Sequence, residues 1–109
     1  MSTAIISGKD LFMYMNSEDN MIIDIREKRK YIEGHIMGAI NLFYDDNDDT
    51  YIYRVRLLIE KKKINNIVMY CEHGGTSYKV ADLLEDVDGV RLLLLYGGID
   101  AYKGDLERG

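Results

Sequence analysis

The sequence predicts an α/β sandwich. Short apolar runs of strand type alternate along the chain with segments of helical period, and the connections between them are short. The length of 109 residues, with 47% hydrophobic and 30% charged, is enough for one buried core. The whole chain, 1–109, is therefore expected to form a single domain, and no internal repeat, linker or low-complexity segment divides it.

Taken in order, Ala4 to Ile6 is expected as a short first strand. Ser7 then opens a helix, with Asp10 three residues on as in a capping box and Leu11, Phe12 and Met15 on one face. Met21 to Ile25 reads as a buried strand, Glu27 to Ile32 as a short basic helix and Ala39 to Leu42 as another short strand. Tyr51 to Lys62 carries Ile52, Val55, Leu58 and Ile59 on one stripe. Acids before it and lysines at its end complement the helix dipole. Ile67 to Tyr70 is a central strand, Ser77 to Asp86 a helix with Val80, Ala81, Leu84 and Val87 inward, and Val90 to Leu94 the last strand. Gly97-Gly98 breaks that strand, and a short terminal helix holds Ile99 and Tyr102.

The chemistry points to Cys71, the only cysteine. It comes after the apolar run Ile67–Tyr70 and precedes Glu72-His73-Gly74-Gly75-Thr76-Ser77, where the glycines allow a tight loop and Thr76 and Ser77 are capping types. Such a loop aims backbone N–H groups, and the positive end of the next helix, at the sulfur, which favours thiolate over thiol. The alternative is an inert buried cysteine at a strand end.

This stretch resembles the active-site loop of the rhodanese family of sulfurtransferases, whose loop cysteine carries sulfane sulfur as a persulfide. Ile22-Ile23-Asp24-Ile25-Arg26 resembles the family's strand ending in Asp-x-Arg, and Gly34-His35-Ile36-Met37-Gly38-Ala39 its Gly-His-Ile-Pro-Gly-Ala signature. Tyr96-Gly97-Gly98, with Tyr102 beyond, resembles its closing Gly-Gly segment. The matches run in the family's order from about residue 21 to residue 104. The resemblance implies a three-layer sandwich with a mostly parallel central sheet of about five strands flanked by helices. It also implies a two-step sulfur transfer. Cys71 takes the outer sulfur of thiosulfate, a polysulfide or a protein persulfide, and a thiol or cyanide-like acceptor, or a sulfur-carrier protein, removes it. Glu72, His73, Gly74, Gly75, Thr76 and Ser77 would form the substrate-binding loop, with no metal or organic cofactor required.

The chain departs from the family pattern in two places. Met37 replaces the usual proline, because the chain has none, and the turn before Gly38 loses a φ constraint. The loop also lacks the arginine found in its second half in many members, and Glu72 adds a negative charge beside the nucleophile, so thiosulfate is expected to be a mediocre donor. Asp24 and Arg26 end a central strand, where ligand sites of parallel sheets gather, and are expected to pair with backbone and charges and so support the loop. His73 is close enough in a curled loop to form a Cys–His pair with Cys71, but is expected instead to shape the rim, contacting substrate or solvent. His35 is expected to hydrogen-bond a neighbouring turn and has no catalytic role. Lys79 is set either to meet an anionic substrate or simply to be solvated.

Two further functional classes are weaker. A cysteine phosphatase uses Cys-x5-Arg, which would put arginine at residue 77, where this chain has Ser77. A non-catalytic interaction module with the same fold would have no need of the cysteine and both loop glycines.

Asp45, Asn47 and Asp49 alternate as in a calcium loop, but the glycine and glutamate that an EF-hand needs are replaced by Thr50 and Arg56. The run reads instead as a solvated helix N-terminus. No paired Cys and His spacing suggests a zinc site, and a lone cysteine forms no internal disulfide, which favours a reducing compartment. A net charge of −5 argues against nucleic-acid and anionic-membrane partners. The start of the chain lacks a basic leader and the apolar runs are too short to span a bilayer, so a cytoplasmic location is expected.

Overall fold

Five parallel strands form the centre of the molecule, seen in a computed structural model that describes residues 2–109. They are β1 (Ser2–Ile6), β2 (Asn20–Asp24), β4 (Ile40–Asn41), β5 (Asn66–Tyr70) and β6 (Arg91–Leu95), in the order β1-β6-β5-β2-β4. The register pairs Met21 with Ile67 and Ile67 with Leu92, so apolar residues lie side by side across the middle of the sheet. Strands buried on both faces must be apolar at every position rather than at alternate ones, which is why the runs at β2, β5 and β6 are uninterrupted.

The alternation along each strand feeds two separate cores. Ile23, Ile67, Met69, Leu92 and Leu94 face one side. There they meet Val55 of α3 (Tyr51–Lys62) and Val80 of α4 (Gly75–Leu83). Ile22, Val68, Tyr70, Leu93 and Leu95 face the other side, against Leu11 of α1 (Gly8–Leu11) and Tyr31 of α2 (Lys28–Glu33). The result is the three-layer sandwich.

Helix α3 spans the residues its periodicity predicts, with Val55 buried and Ile52, Leu58 and Ile59 packed against the same core. Two other helices depart from the pattern. α1 is capped as expected, Ser7 Oγ accepting from Asp10 N at 3.1 Å, but it ends at Leu11. Beyond it the bonds tighten to i→i−3, Met13 N to Asp10 O and Tyr14 N to Leu11 O. That turn leaves Phe12 57% exposed, against the expected buried face, while Met15 still packs on the core. α4 begins at Gly75, earlier than the expected Ser77, and ends at Leu83 rather than Asp86. Gly74, at φ +100°, is its N-cap. Thr76 and Ser77 therefore lie inside the first turn instead of capping it. Past Leu83 a turn, Val87 N to Leu84 O, keeps Leu84 and Val87 buried without further helix.

A small antiparallel pair, β3 (His35–Ile36) with β7 (Leu106–Glu107), closes the end of the chain onto the segment after α2. The terminal helix is a single 3-10 turn, Ile99–Ala101. No helix is long and apolar enough to cross a membrane among the described residues.

Candidate active site

Parallel strands deliver all their C-terminal ends to one edge of the sheet, and that edge gathers the residues of interest. β5 ends at Tyr70 and the chain turns at once through Cys71-Glu72-His73-Gly74 into α4. Cys71 is 5% exposed, and its Sγ accepts a hydrogen bond from Gly74 N at 3.1 Å. An N–H aimed at sulfur from the cap of a nine-residue helix is an arrangement that steadies negative charge on that atom.

The loop is held from outside by the turn after β6. Ile99 N donates to Cys71 O and Asp100 N to Glu72 O, both at 3.0 Å. These bonds point the loop carbonyls away from the sulfur. The close approach requires glycine at residue 98, because a Cβ there would lie 2.5 Å from each of the two carbonyl oxygens. Ser77 is buried, its Oγ donating to Gly74 O at 2.9 Å, and so fixes the bend rather than facing the opening.

Beneath the loop lies a polar network rooted in β2. Asp24 is fully buried and accepts from Arg26 N at 2.8 Å, Nε at 3.1 Å and Nη2 at 2.8 Å. The Arg26 side chain, 9% exposed, also donates from Nη2 to Gly34 O at 2.6 Å and from Nη1 to Glu72 Oε2 at 3.0 Å. Burial opposes the guanidinium charge, and the hydrogen bonds and charge of Asp24 with the hydrogen bond to Glu72 outweigh it, so the Arg26 pKa moves upward. Tyr70 completes the network, its hydroxyl accepting from Ile36 N at 3.0 Å, with its pKa pushed up by burial and by the charge of Asp24. Among the described residues no buried side-chain nitrogen or oxygen lacks a partner.

A pocket of about 420 Å³ opens over Cys71. Glu72, Thr76 and Lys79 line it, with Arg26 from just past the end of β2 and the loop Phe43–Asn47 that follows β4. The remaining loop residues do other things. His73 is 75% exposed, with Nδ1 3.6 Å from Asp100 Oδ2, so it stands on the outer rim and not beside the sulfur. Gly74 supplies its N–H, and Gly75 begins α4. His35 Nδ1 lies 2.9 Å from Tyr31 O and its ring stacks on Tyr31, away from the site.

Sequence reasoning missed two contributors. Asn41, at the end of β4, donates to Asp24 O at 3.1 Å and Arg26 O at 2.9 Å and so braces the supporting segment. Asp45 and Asp46, read only as a helix approach, are exposed as expected but also form a wall of the pocket. The signal that would have found Asn41 is positional, since residues at the C-terminal end of a parallel strand border the crevice, whereas Asp45 and Asp46 lie farther along an irregular loop. Among the described residues no cluster of three or more His, Cys, Asp or Glu is arranged to hold a metal ion. A second hollow of about 520 Å³, lined by Tyr14, Met21 and Met37 among others, lies away from Cys71.

Comparison with known proteins agrees with this fold. The model of the rhodanese-like domain family matches residues 9–105. The chain is 27% identical over 99 residues to a thiosulfate sulfurtransferase, GlpE, of Coxiella burnetii, covering 90% of this chain and 85% of that one. It is 26% identical over 106 residues to a tRNA uridine(34) hydroxylase of Leptospira interrogans, covering 94% of this chain but only 28% of that protein's length. The crystal structure of a thiosulfate sulfurtransferase from Pseudomonas aeruginosa superposes with a TM-score of 0.76 at 17% identity, covering 96% of this chain and 19% of that one, a likeness of fold.

Proposed function

The chain belongs to the rhodanese-like domain family, and from that premise we propose that it is a sulfurtransferase working through a persulfide on Cys71. The observation that carries the reading is the Gly74 N–H directed at Cys71 Sγ in a pocket open to solvent. The thiolate attacks the outer sulfur of a donor, the donor's S–S bond breaks, and the sulfur remains as Cys71–S–SH. A thiol, a cyanide-like acceptor or a sulfur-carrier protein then takes it, and Cys71 returns as thiolate. Two half-reactions on one nucleophile give ping-pong kinetics. The backbone of the loop stabilises each anion in turn, and neither half-reaction calls for a metal or an organic cofactor. An enzyme resting on one free thiol suits a reducing compartment, and the cytoplasm is the proposed location.

Phosphate ester hydrolysis has less support. Ser77, in the place an arginine would take, is buried and bonded to Gly74 O, so no guanidinium reaches the pocket from α4. The test of the main reading is intact mass after incubation with a sulfane donor. One sulfur should add, be removed by cyanide or a reducing thiol, and be absent in Cys71→Ser. A label retained in Cys71→Ser, or no label from any donor, would overturn the reading.

A further inference from the structure

Charge around the Cys71 pocket is distributed unevenly. Three carboxylates line it, Asp45, Asp46 and Glu72, against two cations, Arg26 and Lys79. Arg26 is already held by Asp24, Glu72 and Gly34 O and has no free charge to offer. Lys79 makes no ion pair among the described residues and is exposed at the α4 side of the mouth. On the loop after β4, the Asp45 carboxylate accepts only the neutral Asn47 N–H at 2.9 Å, and Asp46 lies close enough to Tyr44 that, after burial, its charge raises the phenol's pKa. Neither aspartate is paired with a cation among the described residues.

The mouth is thus bipolar, with an unanswered ammonium on one wall and two unanswered carboxylates on the other. An inorganic dianion finds one cation free of an ion pair and meets repulsion from Asp45 and Asp46. A donor bearing both signs finds a partner on each wall. We infer that the donor class favoured at Cys71 is a small hydropersulfide carrying an ammonium and a carboxylate, an amino-acid persulfide, with Asp45 and Asp46 selecting the ammonium and Lys79 the carboxylate. The inference rests on the sulfur-transfer reading and adds to it residues outside the cysteine loop.

The step balances without a further reagent. Cys71–S⁻ attacks the outer sulfur of R–S–SH, and the S–S bond of the donor breaks. Cys71–S–SH forms and R–S⁻ leaves, then takes a proton to become R–SH. One sulfane sulfur moves, and no net oxidation occurs.

The experiment compares initial rates of sulfur loading, read by intact mass, from cysteine hydropersulfide, its N-acetyl form, which lacks the ammonium, and its methyl ester, which lacks the carboxylate. Inorganic polysulfide serves as a fourth donor that reports loading independently of the bipolar match. Intrinsic reactivity differs between these compounds, so the readout is the change in each rate ratio on mutation. In Asp45→Asn/Asp46→Asn the ratio of free to N-acetylated donor should fall about threefold, and in Lys79→Gln the ratio of free donor to ester should fall similarly, both effects shrinking at high salt. Polysulfide loading separates the two claims. If polysulfide loads Cys71 and both ratios are unchanged in folded variants, the donor inference fails while the sulfurtransferase reading stands. If no donor loads Cys71, both fail.

Discussion

Arg26 Nη1 lies 3.0 Å from Glu72 Oε2, so the carboxylate next to the nucleophile shares its charge with a guanidinium anchored on β2. The residue that weakens the site for anions in the sequence is thereby tied to the network that supports the loop. Glu72 is both a local negative charge and the upper end of a chain of contacts running from Asp24 through Arg26. A lysine at residue 72 would face Arg26 directly, which makes the neutral amide the cleaner probe.

Glu72→Gln should lower the KM for thiosulfate by about two- to fivefold at low salt, the scale of a partly exposed charge pair, with a smaller change at high salt. The amide removes the charge, keeps an oxygen for Arg26 Nη1, and leaves the guanidinium less neutralised beside the pocket. Kinetics for thiosulfate and for an uncharged donor at two ionic strengths check it. An unchanged thiosulfate KM in a folded variant would mean that the Arg26 pairing already cancels the charge of Glu72.

Tyr70→Phe should destabilise the fold by about 1–3 kcal/mol, because it strands the buried Ile36 N–H that the hydroxyl accepts and removes a neighbour of Asp24. Denaturant unfolding measures this. A loss below about 0.5 kcal/mol would indicate that Ile36 N finds another acceptor. The variant should still load sulfur on Cys71, since the hydroxyl faces the core on the α1 and α2 side of the sheet.

Asp48 accepts from Thr50 N at 2.9 Å and pairs with Arg54 at 2.7 Å, fastening the approach to α3. Its pKa is lowered from the ordinary 3.8, first by the Thr50 hydrogen bonds and then by Arg54. A depressed folded-state pKa gives stability that is fully present above the unfolded value and lost as pH falls through the folded one. Asp48→Asn should therefore lower stability at pH 7, and the gap between variant and native protein should close as the pH is taken below about 4. Urea midpoints at both pH values decide it, and an equal gap at both would assign the effect to geometry instead of charge.

How much the sequence makes legible depends on pattern length. β2, β5 and β6 are continuous apolar runs and α3 is a three-turn stripe, long enough for periodicity to distinguish strand from helix. β3 and β7 are two residues each, too short to have a period, and they pair across most of the chain's length. The early start of α4 turns on Gly74 adopting φ +100°, a backbone state that the capping types Thr76 and Ser77 mask in the sequence. The contact of Asp24 and Arg26 with the Cys71 loop is readable because parallel strands end together. The place of Asp45 and Asp46 over Cys71 is not readable, because it depends on the path of an irregular loop with no pattern of its own.

Gly98→Ala should disable sulfur loading more than it disturbs the fold. At φ +64° the added methyl is strained, and it would also lie 2.5 Å from the carbonyl oxygens of Cys71 and Glu72, so the loop must move away from the turn after β6. Gly89→Ala serves as the control for an alanine at positive φ, since Gly89 has a φ of +79° and open space around its Cβ, whereas Gly98 at ψ −161° is the more strained of the two. Gly89→Ala should cost only the strain of about 1–2 kcal/mol and load sulfur at the native rate. Gly98→Ala should be less stable than that control and load Cys71 at least about tenfold more slowly, because the shift breaks the bonds from Ile99 N and Asp100 N that turn the loop carbonyls outward. Thermal unfolding and intact-mass time courses on both variants test the pair. Equal loading rates would show that the turn after β6 braces the loop without setting the geometry at the sulfur.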